Sequence, residues 1–215
     1  MAGSTLSTLC YAVTIKASLG LGPLFVLQDG FARSTGISIG AAVTATGFMF
    51  VALTTALRSW PAPGTLVVPV LGGVTLNAVL PHIPPVPGWP LRLLSVFGAT
   101  WLMALAGVLM IRARVGVSGY DGVMLGLHRI LGGRMALIRL GMEGTVLAVG
   151  WILGGAVGVG TVVTGGLIGP GIQFWIRVTR TPTLRDRAGG DATAVGADVE
   201  AGLEGAGPAG LEGAY

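Results

Sequence analysis

The sequence predicts an all-α polytopic membrane protein. About six transmembrane helices are expected, as two inverted three-helix repeats, each with a short re-entrant or interfacial half-helix. Three observations carry this: the composition, a long internal repeat and the placement of arginine. Hydrophobic residues make up 52% of the 215 and charged residues only 10%, with a mean hydropathy of +0.80. Soluble domains carry about 25% charged residues, so this chain has too few to clothe a surface in water.

The repeat is read directly. Residues 15–36, IKASLGLGPLFVLQDGFARSTG, return as residues 111–132, IRARVGVSGYDGVMLGLHRILG. At an offset of 96 residues, Lys16 falls on Arg112, Gly20 on Gly116, Gly30 on Gly126 and Gly36 on Gly132. The same ungapped register pairs Leu57 with Leu153, Gly64 with Gly160, Thr65 with Thr161 and Gly73 with Gly169. A register held that long marks a duplication.

Taken in order, residues 1–80 form the first membrane repeat. The stretch up to Ile15 is apolar but short of the roughly 20 residues that span a bilayer, and it lacks the basic start of a signal peptide. Gly20, Gly22 and Pro23 break this helix, and proline suits the first position of the next. Residues 24–33 are too short to span and too apolar for an ordinary loop, which predicts a half-helix. Residues 37–57 are a span rich in small residues, suited to close helix packing. Residues 58–64 read as a turn with Trp60 at the membrane interface, and residues 65–80 as the third span.

Residues 81–90 hold prolines and Trp89 and read as a stiff linker. Residues 91–178 form the second repeat. A span over 91–111 is followed by a half-helix within 112–134, broken by Gly116 and Gly119, and by spans over 135–153 and 159–178. Residues 179–215, rich in Ala, Gly, Asp and Glu without a period, read as a disordered cytoplasmic tail.

Three spans per repeat is an odd number, so the second copy must enter from the opposite face. Arginine agrees. Arg112, Arg114, Arg129, Arg134 and Arg139 surround the second half-helix, and Arg177, Arg180, Arg185 and Arg187 follow the last span, against only Lys16 and Arg33 in the corresponding first loop. Positive loops stay in the cytoplasm, which predicts a cytoplasmic-membrane protein with both termini inside. Inverted repeats of this kind are common among secondary transporters.

Few residues could carry chemistry. Glu143 is a carboxylate within a predicted span, costly in lipid and so a candidate proton or cation site. An i, i+4 pair with Arg139 is the plainer role. Asp121 begins the second half-helix, where an acid caps open N–H groups and meets the positive end of the dipole. Asn77 and Gln173 pair at the 96-residue offset, two amides within spans suited to interhelical hydrogen bonds or to lining a solute path.

Several classes are excluded or disfavoured. Cys10 is the only cysteine, which rules out an intrachain disulfide and a thiol metal site. LGLGP and VGVSG lack the GK[ST] of a phosphate loop. His82 and His128 read as loop residues without metal partners. Basic residues are not interleaved with aromatics as nucleic-acid binding requires. No nucleophile with a base beside it is visible, so the chain reads as a non-enzyme without cofactor.

The motifs LGLGP…DG…RSTGISIG and WILGGxVGVGTV, in their matching spacing, resemble the YczE/YyaS/YitT-type bacterial membrane proteins over residues 15–178. The resemblance implies an integral cytoplasmic-membrane protein and names no substrate. The family usually follows GP with Trp-Asp, where this chain has Leu24 and Phe25, and Asn77 replaces what is often Asp. Asp121 and Glu143 keep family-like positions. Two functions stay open. One is a small-solute transporter or permease, with Glu143 as coupling residue and Asn77, Asp121 and Gln173 lining the site. The other is a non-transporting accessory protein that supports a membrane partner. The lipid bilayer is a partner in both, and a homo-oligomer suits either.

Overall fold

The computed structural model describes residues 2–57, 63–112, 119–132 and 135–179, and among these the secondary structure is entirely helical. Eight α-helices follow in order: α1 (Ala2–Ala17), α2 (Pro23–Thr35), α3 (Ile39–Ala56), α4 (Pro63–Val79), α5 (Trp89–Arg112), α6 (Gly119–Leu131), α7 (Met135–Ile152) and α8 (Val159–Val178). A 3-10 turn, Leu80–His82, extends α4. The chain divides into two units, Met1–Trp175 and Ile176–Tyr215, of which the second contains the end of α8. The expected tail, the turn around Trp60 and the breaker Gly116 lie outside the described residues.

Among the described residues, five segments are long and apolar enough to cross a membrane: Ile39–Ala56, Thr65–His82, Trp89–Met110, Met135–Ile152 and Val159–Val178. The sixth expected span is α1, at 16 residues. Its rise is about 24 Å, several ångströms short of a hydrocarbon core. The half-helices α2 and α6 are 13 residues each, about 20 Å long. Pro23 opens α2 after an extended Gly22, and Gly36 closes it in the left-handed conformation, donating its N–H to Ala32 O at 2.9 Å.

α1 and α5 are antiparallel. Gly3 near the start of α1 abuts Ala106 and Met110 near the end of α5. At the other end, Val86 N–H, just before α5, donates to the Lys16 carbonyl at 3.4 Å.

The half-helices cross over. α2 packs on α7, and α6 packs on α3. A Cβ at Gly30 would strike the Gly150 carbonyl and Leu153, while a Cβ at Gly126 would strike Leu57. Gly150 likewise lies on the backbone of Val26 and Leu27, while Gly122 lies on Thr54. Each contact recurs 96 residues on with the partners exchanged, so glycine in one half receives the same-numbered residue of the other. Only glycine lets helices approach this closely in lipid, where packing substitutes for the hydrophobic effect. Leu27, Phe50, Val123, Met142 and Val146 fill the apolar core between these four helices.

Gly150→Ala tests this packing. The Cβ would meet main-chain atoms of Leu27 and Val26 at 2.5–2.6 Å. Overpacking costs roughly 1–3 kcal/mol, more than the helix propensity of about 1 kcal/mol that alanine returns. Thermal unfolding in detergent should shift down by several degrees for Gly150→Ala. Gly165→Ala, with nothing within 4 Å of the added carbon, should not lower it.

Candidate functional site

Two groups of polar side chains stand out, and each joins elements of both halves. The first is the meeting of α3, α6 and α7. Glu143 Oε1 accepts from Arg139 Nε at 2.9 Å, one turn away on α7, with the Glu143 side chain 25% exposed. Tyr120, in the first turn of α6, stands edge-on to Phe50 with ring centroids 5.3 Å apart. Its hydroxyl is buried and has no hydrogen-bond partner. Glu143, Arg139 and Asp121 are all close enough to act on it electrostatically. Thr54 Oγ1 lies 2.8 Å from the Gly119 carbonyl and 2.8 Å from that of Phe50, tying the start of α6 to α3.

An unpaired buried hydroxyl forfeits about 1–3 kcal/mol. Beside an ion pair, a hydroxyl of this kind is a ready partner for a polar group brought in from outside. His128 Nδ1 is also buried without a partner, in the last turn of α6. The histidine thus belongs to the helix and not to a loop, because the half-helix runs on to Leu131.

The second place is Asp29 on α2, which is 7% exposed. Its Oδ2 accepts from Arg33 Nε at 2.9 Å and from the Ala156 N–H at 2.9 Å, so it clamps α2 to the segment between α7 and α8. Around it the two glycine runs of the sequence meet backbone to backbone. Leu21 N–H donates to Ala156 O at 3.1 Å, and Gly160 N–H donates to Leu19 O at 2.7 Å. Gly20, at φ +101°, lies against Gly158 and Thr161. A side chain at Gly20, Gly155, Gly158 or Gly160 would collide with the opposing main chain. LGLGP and GGAVGVG are therefore the two surfaces of one joint. Nearby, Tyr11 stacks on Phe25 at 3.9 Å and its hydroxyl donates to the Phe25 carbonyl at 3.3 Å.

Of the residues singled out from sequence, Glu143 and Asp121 both lie within electrostatic range of Tyr120. Asp121 occupies the first turn of α6, where an acid meets the helix dipole. Asn77 sits apart: its Oδ1 accepts from Gly40 N–H at 3.0 Å and its Nδ2 donates to Ser38 Oγ at 3.0 Å. Ser38 is the N-cap of α3, so Asn77 braces that helix start from α4. Gln173 is exposed on α8. Gly20, Gly22 and Pro23 separate α1 from α2, and Gly119 begins α6 against Phe50 and Val51. Tyr120 and Asp29 were not singled out from sequence. A signal existed for Asp29, an acid in an apolar half-helix with Arg33 one turn on. Nothing in the sequence alone distinguishes Tyr120 from an interfacial tyrosine.

Eight helices, five of them able to cross a membrane and two of them crossed half-helices, define a multi-pass helical membrane protein. The chain belongs to DUF6198, a family of unknown function, whose profile matches residues 1–177. It is similar to the uncharacterized membrane protein YczE of Bacillus subtilis (strain 168), 28% identical over 169 residues, or 76% of this chain and 77% of the relative. It is also similar to an uncharacterized protein of Haemophilus influenzae Rd, 25% identical over 183 residues, or 81% of this chain and 84% of the relative. No solved structure matches it. Its apolar helices place it in contact with the lipid bilayer.

The Asp29 clamp generates an ordered prediction. Asp29→Ala strands the Ala156 N–H and the Arg33 guanidinium and should cost about 1–3 kcal/mol. Asp29→Asn keeps one acceptor oxygen and should cost less. Midpoints of thermal unfolding in detergent should fall in the order wild type, Asn, Ala. Equal midpoints would mean the clamp contributes nothing.

Proposed function

We propose that the protein is a transporter of a small polar solute across the cytoplasmic membrane, built as an inverted repeat, with its site where α3, α6 and α7 meet. The observation that carries the reading is the buried, unpartnered Tyr120 hydroxyl within electrostatic range of the Glu143–Arg139 pair and Asp121. Structural polar groups in lipid find partners within the protein. One left open within electrostatic range of three charged groups fits a site that a solute fills.

The inverted repeat is supported by the antiparallel run of α1 and α5, the equivalent first helices of the two copies. The exchanged contacts of the half-helices support it further. Two halves related in this way supply the matched surfaces that rock about a central site in secondary transporters. Arginine placement supports an orientation with both termini in the cytoplasm.

In this reading Glu143 couples transport. Arg139 holds its carboxylate in the resting state, and solute or proton binding competes for that ion pair. Asp121 and Tyr120 bind the solute, Gln173 lines its approach and Asn77 acts by bracing α3. The chemistry asked of these residues is binding and release, without a nucleophile or a cofactor.

The test is flux in proteoliposomes, screened with radiolabelled small polar solutes and ions. For any solute carried by the wild type, Glu143→Gln should lower uptake at least tenfold while leaving the elution profile and thermal midpoint in detergent unchanged. Tyr120→Phe should weaken the apparent affinity several-fold, as loss of one hydrogen bond of about 1 kcal/mol implies. Wild-type uptake in Glu143→Gln would remove Glu143 from the mechanism. Absence of flux for every solute, with a stoichiometric membrane partner co-purifying, would favour the accessory role.

A further inference from the structure

The two copies of the repeat converge on one apolar core. Leu27 of α2 and its counterpart Val123 of α6 stand in it, with Phe50 of α3 and its counterpart Val146 of α7. Leu24 and its counterpart Tyr120 pack against the same core, and so does Met124. Each half-helix therefore offers this core the same positions of the duplicated register.

The counterpart of Met124 is Gln28. Gln28 follows Leu27 and lies one turn beyond Leu24, as Met124 lies one turn beyond Tyr120, so helix geometry sets it at the border of the core. Gln28 is 6% exposed, and its side-chain oxygen is buried with no hydrogen-bond partner among the described residues. A stranded amide destabilises a core that an apolar side chain of the same length would fill, and the second copy has that side chain. Each copy thus brings one buried, unpartnered oxygen to the shared core: the Gln28 amide oxygen from α2 and the Tyr120 hydroxyl from α6. In the duplicated register they occupy adjacent turns.

We propose that Gln28 and Tyr120 together bind the solute, and that the solute is a small uncharged molecule carrying at least one N–H or O–H group. The groups dictate the class. An amide oxygen only accepts, so the solute must donate to Gln28, while a tyrosine hydroxyl can donate or accept. Both groups are neutral, and Glu143 and Arg139 are already paired with each other. A charged solute in an apolar core needs an opposite charge to offset its lost hydration, and neither Gln28 nor Tyr120 supplies one. Leu27 and Phe50 receive the solute's apolar part. A site built half from each copy lies at the repeat interface, where inverted-repeat transporters hold their solute. Passage of the solute rests on the transport reading; the site itself rests on the two stranded oxygens.

The experiment measures thiol reactivity in detergent-purified protein carrying Gln28→Cys, Tyr120→Cys or, as a dry control, Val108→Cys, each with Cys10→Ala. Val108 is fully buried on α5. The probes are the neutral hydroxyethyl, anionic sulfonatoethyl and cationic trimethylammonioethyl methanethiosulfonates, each rate normalised to that of a free thiol in water. The thiolate is the reacting form, so reaction reports a position that water and small solutes reach. The neutral probe should modify both site cysteines at least tenfold faster than the control, and at least tenfold faster than either charged probe does. An unreactive Gln28→Cys with a reactive Tyr120→Cys would remove Gln28 and leave the Tyr120 site standing. Unreactive cysteines at both positions would overturn the shared site and the transport reading together. Equal normalised rates for the charged probes would overturn the uncharged class. Gln28→Met, which installs the residue of the second copy, should hold or raise the thermal midpoint in detergent. A fall of several degrees would mean the amide is bonded within the protein, and would overturn its role in binding. Reactive site cysteines in a protein that carries no solute in proteoliposomes would leave the binding site and remove transport.

Discussion

The structure depends on how a membrane chain ends one helix and starts another without water. In a bilayer each backbone N–H and C=O needs a partner, and the breaks before a half-helix and after α7 expose several at once. Here the two breaks satisfy each other. Leu19 O takes Gly160 N–H, Ala156 O takes Leu21 N–H, and Asp29 takes Ala156 N–H. Main chain can meet main chain at this distance only because glycine stands at 20, 155, 158 and 160. The glycines thus answer to hydrogen-bond accounting and contact distance, and a phosphate has no part in them.

From that joint the rest follows. Fixing the start of α2 against the end of α7 sets Val26, Leu27 and Gly30 on Gly150 and Leu153. The exchanged contact sets Gly119, Gly122 and Gly126 on Phe50, Thr54 and Leu57. The second contact carries Tyr120 inward to the core beside Phe50, within electrostatic range of Arg139 and Glu143 on α7. The duplication is imperfect at the places where polarity matters. Glu143 stands for Gly47, Asp121 for Phe25 and Leu140 for Thr44.

The helices were legible because apolar length and glycine-proline punctuation are local, and the 96-residue register made each half check the other. α1 fell short of a full span for the same reason it did in the sequence, since its counterpart α5 has 24 residues to its 16. The site was legible only in part. Glu143 drew attention because a charge in a span is costly by itself, and its i, i+4 bond to Arg139 followed from helix geometry. Asp29 and Tyr120 were missed because their roles are set by residues far along the chain, Ala156 for one and Phe50 for the other. Asn77 and Gln173 share a register position, but register does not say which way a side chain faces, and both are exposed.

The central claim is that the two halves are inverted in the membrane. Ser34 and Ile130 are equivalent residues, each exposed at the end of its half-helix. Contacts put the end of α6 beside the end of α3, whereas the end of α2 leads into the start of α3. Single cysteines at Ser34 and at Ile130, each in a Cys10→Ala background, can be labelled in oriented vesicles with a membrane-impermeant maleimide. The account predicts labelling from opposite faces. Labelling from the same face would contradict it, and with it the transport reading that the inversion supports.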